Sequence, residues 1–580
     1  MLFLVIQWAI TTLLTFAMGI GTLRLLSVFL RARYEDDTDL HPAIICLIGF
    51  CTLVGISAAL SLFFPISDWL ELLLLGVPLA YFFSPTVRVY FLSYFNQFPR
   101  FYWPSVLYFV PFLLVALFKA SSPTEIFDDG IAHLPVIYTF REYGIVLGLA
   151  NLHPNFGYNT HSILGASLFS FPFLPGGPSY DLNAWLACLC AWRAATLVRQ
   201  FFNKGSIGLA FLAMALPVFI LRNQLTGLAT DPPLYILAWL LMLEWLQTDV
   251  GHPNANKAAH LATFVLLPLA AITFKPNGIA LLVLSVAYLL PFFQRRQFKI
   301  IFLAAFLAIA FLVIWFLRNL GLTGYLYLLF PSIDFFTYDW KVPSQVLLLL
   351  KDQVNGEIFH QPFQFSAQFV SKWWAAWPGS SKLVGLLALV SMVFLAILPL
   401  IDKPLVLSQS AYKRAVPVAL TLAFGLIIWL FTATEPRYGH AYLVFLALSG
   451  PAFLVHHFAQ KFQKPHLTLL FGLVIFAATF NAVKSFSEFT VWDKVLLIPA
   501  PYPVVESGQV LASNFLAHMP LRFITSPQDR LRIPPSRATE VIRQQAGCWA
   551  TPFPCIYRCS DLAHIQQRGI TIRQGFRYVP

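Results

Sequence analysis

The sequence predicts an all-α polytopic membrane protein of about fourteen spans, with helices in its extracytoplasmic loops and a small C-terminal α+β appendage on the same side. Three observations lead there. Of 580 residues, 58% are hydrophobic and 11% charged, with a mean hydropathy of +0.71. That leaves too little charge to cover a soluble chain of this size. The apolar residues form long unbroken runs, where a transmembrane barrel would alternate apolar and polar positions. The basic residues gather in some connections and avoid others, which is how membrane helices are oriented.

The first run, 2–30, lacks a basic leader and is longer than a signal peptide, so it reads as a retained span. With 42–64 and 68–84 it forms an N-terminal group of helices within residues 1–100. The main body, 101–485, adds runs at 103–119, 180–195, 206–222, 231–247, 259–274, 277–293, 300–318, 382–401, 415–433, 440–457 and 466–484. Two connections in this body, 120–179 and 320–381, are too long to be turns, and connections of that length in compact proteins usually carry function. From 486 to 580 the apolar runs stop and arginine and proline accumulate. A helix is expected within Val504–Leu516 and short strands after it. The arginines there fit either an anionic ligand or an ordinary basic surface beside anionic lipid.

Arg193, Arg199 and Lys204 fall in one connection, Arg295, Arg296 and Lys299 in a second, Lys403, Lys413 and Arg414 in a third, and Lys461 and Lys464 in a fourth. Alternation through the spans puts all four on one side, which the positive-inside rule makes cytoplasmic. The net charge of +12 is accounted for by such flanking cations, and no phosphate-binding glycine loop or zinc-type spacing accompanies it. Nucleic acid is therefore not an expected partner. Cys46, Cys51, Cys188 and Cys190 lie in apolar runs as packing residues. Cys548, Cys555 and Cys559 lie in the tail, where any two of them could pair.

The opposite, extracytoplasmic side receives a distinct set of polar residues. Loop 120–179 supplies Asp128, Asp129, His133, Arg141, Asn151, His153, Asn155 and His161. Asp231 opens the run after Ala229-Thr230. Lys275 stands in Thr273-Phe274-Lys275-Pro276-Asn277-Gly278. Glu435, Arg437, Tyr438 and His440 share the turn 434–440. Structural roles are available for each. Asp128 or Asp129 could cap a helix, Asp231 before two prolines could start one, and Lys275 and Arg437 could reach to the interface from span ends. His133 could orient a neighbour, and Trp373, Trp374 and Trp377 could belong to an interfacial aromatic belt. Ionisable residues at a membrane mouth are nonetheless costly enough to mark function by default. A carboxylate can take the proton of an attacking hydroxyl. Lysine and arginine can neutralise charge that develops on a phosphate leaving group. Together these suit sugar transfer from a lipid-phosphate donor, with no nucleotide site.

Asp128-Asp129-Gly130-Ile131-Ala132-His133-Leu134-Pro135, with an aspartate five residues before His-Leu-Pro, resembles the acidic motif of the GT-C superfamily of integral-membrane glycosyltransferases. Gly148-Leu149-Ala150-Asn151-Leu152-His153 resembles a group of uncharacterised bacterial members, and Glu435-Pro436-Arg437-Tyr438 resembles their late Arg-Tyr element. The resemblance covers roughly residues 100–485. It implies a GT-C-like core at 101–485, preceded by helices additional to those of many relatives, and a periplasmic or other extracytoplasmic site in the inner or plasma membrane. It implies an inverting hexosyl- or pentosyltransferase of cell-envelope polysaccharide biosynthesis. The donor would be a polyprenyl-phosphate sugar and the acceptor a glycan or lipid hydroxyl. Asp128 would be the base and Asp129 an added acid of the catalytic pair. Lys275, Arg437 and Tyr438 would hold the donor phosphate, and His133, Asn151, His153, Asp231, Glu435 and His440 would bind or orient substrate. No cofactor is required and no metal is indicated. A lipid-linked-sugar flippase or transporter, and a polysaccharide polymerase or ligase, are the alternatives.

Overall fold

The computed structural model describes residues 1–30, 40–92, 103–121, 128–248, 257–328, 333–347, 363–401, 409–459, 509–511, 521–524, 555–557 and 565–579, apart from a few isolated positions in those stretches. Three single residues, 472, 476 and 480, are also described, so the expected span 466–484 otherwise lies outside the described residues, as do Cys548 and Cys559.

The expected apolar runs within the described residues are helices. In chain order they are α1 (Leu2–Leu30), α2 (Pro42–Ser61), α3 (Asp68–Phe82) and α4 (Trp103–Ser121), then α5 (Leu134–Tyr143) and α6 (His161–Leu168) in the first long loop. There follow α7 (Leu182–Asn203), α8 (Ile207–Arg222), α9 (Asp231–Gln247), α10 (Lys257–Phe274), α11 (Leu282–Gln294) and α12 (Phe298–Thr323). The last are α13 (Ala367–Ala376), α14 (Gly379–Ile401), α15 (Gln409–Thr432) and α16 (Pro436–Ala459). Among the described residues, eight helical stretches are both long and apolar enough to cross a membrane. Helices α3, α8 and α9 fall short in length, α4 has only Val106–Ser121 counted as an apolar helix, and α7 is long but interrupted by polar residues.

The spans form a centre and a rim. The most apolar 18-residue window of α10 is 89% buried, whereas the corresponding windows of α12 and α14 are 17% buried. A helix that is apolar all round and shows most of its surface is built for lipid contact. Accordingly Phe302, Phe306, Ile309 and Val313 of α12 are exposed. Helix α1 packs along α2, α7 along α8, and α16 against both α8 and α14.

Two wide π-turns interrupt the helices, and each leads into Leu-Pro. Asp129–His133 precedes Leu134-Pro135, and Ala262–Leu266 precedes Leu267-Pro268. Proline lacks an N–H and its ring collides with the carbonyl four residues back in a regular helix. The wide turn relieves both conflicts: the N–H of Leu134 bonds to the oxygen of Asp129 and that of Leu267 to Ala262, each five residues back.

One end of the bundle holds a buried polar lock. Arg193 pairs with Glu244 through two nitrogens and donates to Gln247, while Arg414 reaches the carbonyl of Leu246. Arg193 is therefore not a loop cation of the kind the charge count assumed. Its guanidinium is an interior link between α7 and α9.

At the other end the last described residues close over the loops. In the appendage β1 (Gln509–Leu511), β2 (Leu521–Ile524) and β3 (Cys555–Tyr557) form one sheet, and β4 (Ile565–Gln567) pairs antiparallel with β5 (Phe576–Tyr578). The helix expected within 504–516 is replaced by β1 where that stretch is described. Its Val510 faces Arg522 in a strand register.

The β4–β5 hairpin docks on the body. Phe576 is buried, its N–H donates to the carbonyl of Leu147, and its carbonyl accepts from Asn151 Nδ2 at 3.2 Å. Arg568 pairs with Asp339 at 2.7 Å and covers the ring of Trp340. Arg573 donates to the carbonyls of Leu62 and Phe63 just beyond α2, and Arg577 donates to Gln566. These three tail arginines are thus occupied within the chain rather than free for an anionic ligand. Gly148 fits beneath the hairpin with φ +62°, and a Cβ there would stand 2.7 Å from the carbonyl oxygen of Trp340. Gly148→Ala is therefore expected to cost about 1–3 kcal/mol. It should lower the unfolding temperature of the purified protein and expose residues 565–579 to limited proteolysis. An unchanged melting temperature and cleavage pattern would contradict this docking.

Candidate functional site

The two adjacent aspartates at the start of the first long loop have opposite fates. Asp129 is fully buried at the π-turn. Its carboxylate accepts from the N–H of Leu228, at 3.2 and 3.1 Å, and pairs with His133 Nδ1 at 2.8 Å. It ties the loop to the chain leading into α9. Asp128, one residue earlier, makes no capping bond to the turn it precedes. Its side chain is 47% exposed, and its Oδ2 lies 3.8 Å from Arg437 Nη1. Structure and chemistry are therefore divided between neighbours: Asp129 anchors, and Asp128 is presented. His133 orients Asp129 rather than facing the mouth.

Asp231 occupies the first turn of α9 ahead of Pro233, and it is buried. Its partner is Lys275, which sits where Pro276 ends α10 and begins a 3-10 turn. The two form an ion pair, and Lys275 Nζ also lies 3.8 Å from the centre of the Tyr438 ring. Burial pushes the Lys275 ammonium below its usual pKa and the Asp231 carboxylate opposes that shift.

The third contributor is the turn into α16. Glu435 Oε1 lies 2.8 Å from Arg437 Nε, and Arg437 Nη2 is 3.1 Å from Tyr438 Oη. Burial raises the Glu435 pKa and the Arg437 guanidinium pulls it back. The turn is held from below. Trp429 Nε1 donates to the carbonyl of Glu435, Trp373 Nε1 donates to that of Thr434, and Trp377 packs beside them. Trp373 and Trp377 are thus buried supports for the turn, and Trp374 keeps 36% of its surface exposed.

Asp128, Asp231, Lys275, Glu435, Arg437 and Tyr438, which the sequence places on one side, form one cluster through the packing of α9, α10 and α16. His440 lies behind them, buried between Phe219 and Tyr235 and 3.5 Å from Ser381 Oγ. Asn151 and His153 have other work. Asn151 bonds to Trp340 and Phe576 in the hairpin dock, and His153 accepts from the N–H of Asn155 and packs against Phe156. Burial holds the His153 imidazole at a pKa of about 4, so it is neutral near pH 7.

Three contributors escaped the sequence reading. Tyr158 is partly buried, its buried hydroxyl has no hydrogen-bond partner among the described residues, and the charges of Asp128 and Arg437 act on it. Tyr235 donates to the carbonyl of Arg437. Asn277 bridges two turns, donating to the carbonyl of Tyr438 and accepting from Tyr442. Tyrosines in an aromatic-rich chain carry no signal until their neighbours are known. Asn277 could have been singled out, two residues after Lys275 and beside Pro276.

No cluster of metal-ligating side chains occurs among the described residues. The arrangement can accept a proton at Asp128, present a cation at Arg437 beside it, and donate a hydrogen bond from Tyr158.

A family model described as a domain of unknown function (DUF8201) matches residues 1–444, and the chain belongs to that family. No curated protein and no solved structure matches it.

The Asp231–Lys275 pair is withdrawn from water, so removing one partner strands the other. Asp231→Asn and Lys275→Met should each cost about 3–5 kcal/mol. The double variant should recover much of that loss in thermal or denaturant unfolding of the purified protein. Simple addition of the two losses would mean that the side chains do not share an interaction.

Proposed function

We propose that this family member is a membrane glycosyltransferase that moves a sugar from a polyprenyl-phosphate donor to a hydroxyl on a glycan or lipid acceptor at the extracytoplasmic face. The observation that carries the reading is the contact between Asp128 and Arg437. An acid and a cation, both partly exposed, stand 3.8 Å apart at the end of the bundle away from the Arg193 lock.

Magnitudes separate the roles. An exposed ion pair contributes about 0–1 kcal/mol, so a phosphate can replace Asp128 at Arg437 with little loss. The buried Lys275 is committed to Asp231, and its charge supports the site without leaving its partner. Arg437 is accordingly the side chain that meets the donor phosphate. In the transfer, Asp128 takes the proton from the acceptor hydroxyl as its oxygen bonds to the anomeric carbon. The bond from that carbon to the phosphate oxygen breaks, and the leaving polyprenyl phosphate keeps the electron pair beside Arg437. Direct displacement of this kind inverts the anomeric centre. Two parallel N–H donors on a planar guanidinium suit a phosphate better than an ammonium does. Tyr158 can donate to a sugar or phosphate oxygen.

The test is incubation of purified protein with a panel of polyprenyl-phosphate sugars and acceptors, read by mass spectrometry. The wild-type chain should release polyprenyl phosphate and form one new glycosidic bond. Asp128→Asn should lower the rate by about 10²–10⁴-fold while the protein still inserts and folds. Full activity in that variant would remove Asp128 as the base, and movement of the donor across liposome membranes without bond formation would favour a flippase.

A further inference from the structure

Among the described residues, Arg193 and Arg318 are buried and Arg141 is largely so, and carboxylate partners are found for Arg141 and Arg193. Arg141 pairs with Glu71 and approaches Asp68, and Arg193 pairs with Glu244. Arg318, near the end of α12, is 0% exposed and pairs with no carboxylate among the described residues. Its Nε donates to Asn159 Oδ1 at 2.9 Å, its Nη1 to Ser61 Oγ, and its face covers the Phe140 ring at 4.6 Å. Its Nη2 has no partner. Asn159 is fixed for this contact by two bonds with Trp315, one donated and one accepted.

Two residues after Asn159, helix α6 begins at His161. This imidazole is 1% exposed, neither of its nitrogens has a hydrogen-bond partner, and the charge of Arg318 acts on it. The next residue, Ser162, is also buried with an unpartnered hydroxyl. Thr160, at the cap position, gives the helix no side-chain bond. An unpartnered guanidinium nitrogen and an imidazole on which its charge acts therefore meet at a helix N-terminus, and the next residue adds an unpartnered buried hydroxyl. Burying such a charge alone costs several kcal/mol, and a carboxylate or another anion normally offsets it.

We propose that a monatomic anion of chloride size binds between Arg318 and the first turn of α6, held by Arg318 Nη2, His161 and Ser162. Burial and the neighbouring guanidinium push the His161 pKa well below its ordinary value, so the ring is neutral and offers one N–H. A lipid phosphate is excluded because its chain would need a path to the bilayer, and no atom of Arg318 is exposed. The site is independent of the proposed glycosyl transfer.

Equilibrium dialysis of the purified full chain in detergent against radioactive chloride tests it, with gluconate as the balancing anion. The wild-type protein should bind about one chloride per chain, displaced by bromide. Arg318→Met should bind none, and His161→Ala, which keeps the contacts to Asn159 and Ser61, should bind about tenfold more weakly. Absence of bound chloride in the wild-type chain would overturn the proposal, as would undiminished binding in Arg318→Met. If Arg318→Met does not fold, unaltered affinity in His161→Ala would overturn it instead.

Discussion

Lys275 is largely withdrawn from water at a helix break and paired with Asp231, and the organisation of the cluster around it follows from that constraint. Pro276 stops α10 and leaves Lys275 in an extended conformation with 15% of its side chain exposed. Such an ammonium is tolerable only with an anion and aromatic cover, and Asp231 and Tyr438 provide them. Three separate parts of the chain are thereby joined: the start of α9, the break after α10 and the start of α16. Tyr235 and Asn277 repeat the connection with neutral hydrogen bonds. Arg437 is adjacent to this knot and remains partly exposed, which leaves a guanidinium accessible on a rigid base.

The polar residues of the bundle separate by end. Arg193, Glu244, Gln247 and Gln200 lock one end of α7 and α9, while Asp231 begins α9 at the other. Helix α9 is almost wholly buried between these points, including Trp239 and Met242. It forms a stiff central post with a charged pair at each terminus. That separation agrees with the grouping of basic connections on one side of the sequence.

Much of the helical architecture was readable, because long apolar runs bounded by proline and charge have few other outcomes. The gathering of Asp128, Asp231, Lys275 and Arg437 was also readable, since topology delivers span ends to one face. Other features were hidden for stated physical reasons. The unlike roles of Asp128 and Asp129 depend on a single wide turn, which only the Leu-Pro that follows could have suggested. Asn151 looked like a site residue because a polar side chain among apolar ones gives the same signal whether it binds substrate or the backbone of Phe576. Strand β1 is three residues long, too short for its alternation to be distinguished from a helix. Arg193 looked like a loop cation because Glu244, its partner, is 51 residues away.

The docking of the β4–β5 hairpin gives the loop end of the bundle a place in time as well as in space. The bond from Asn151 to Phe576 joins residues 425 positions apart. At about 5–20 residues per second, a ribosome needs roughly 20–85 s to make the intervening chain. Through that interval Gly148 waits without the strand that covers it, and Trp340 waits through the later part. The loop end of the bundle therefore stays uncovered during synthesis, and its backbone partners at Leu147 and Asn151 are met only when the hairpin has been made.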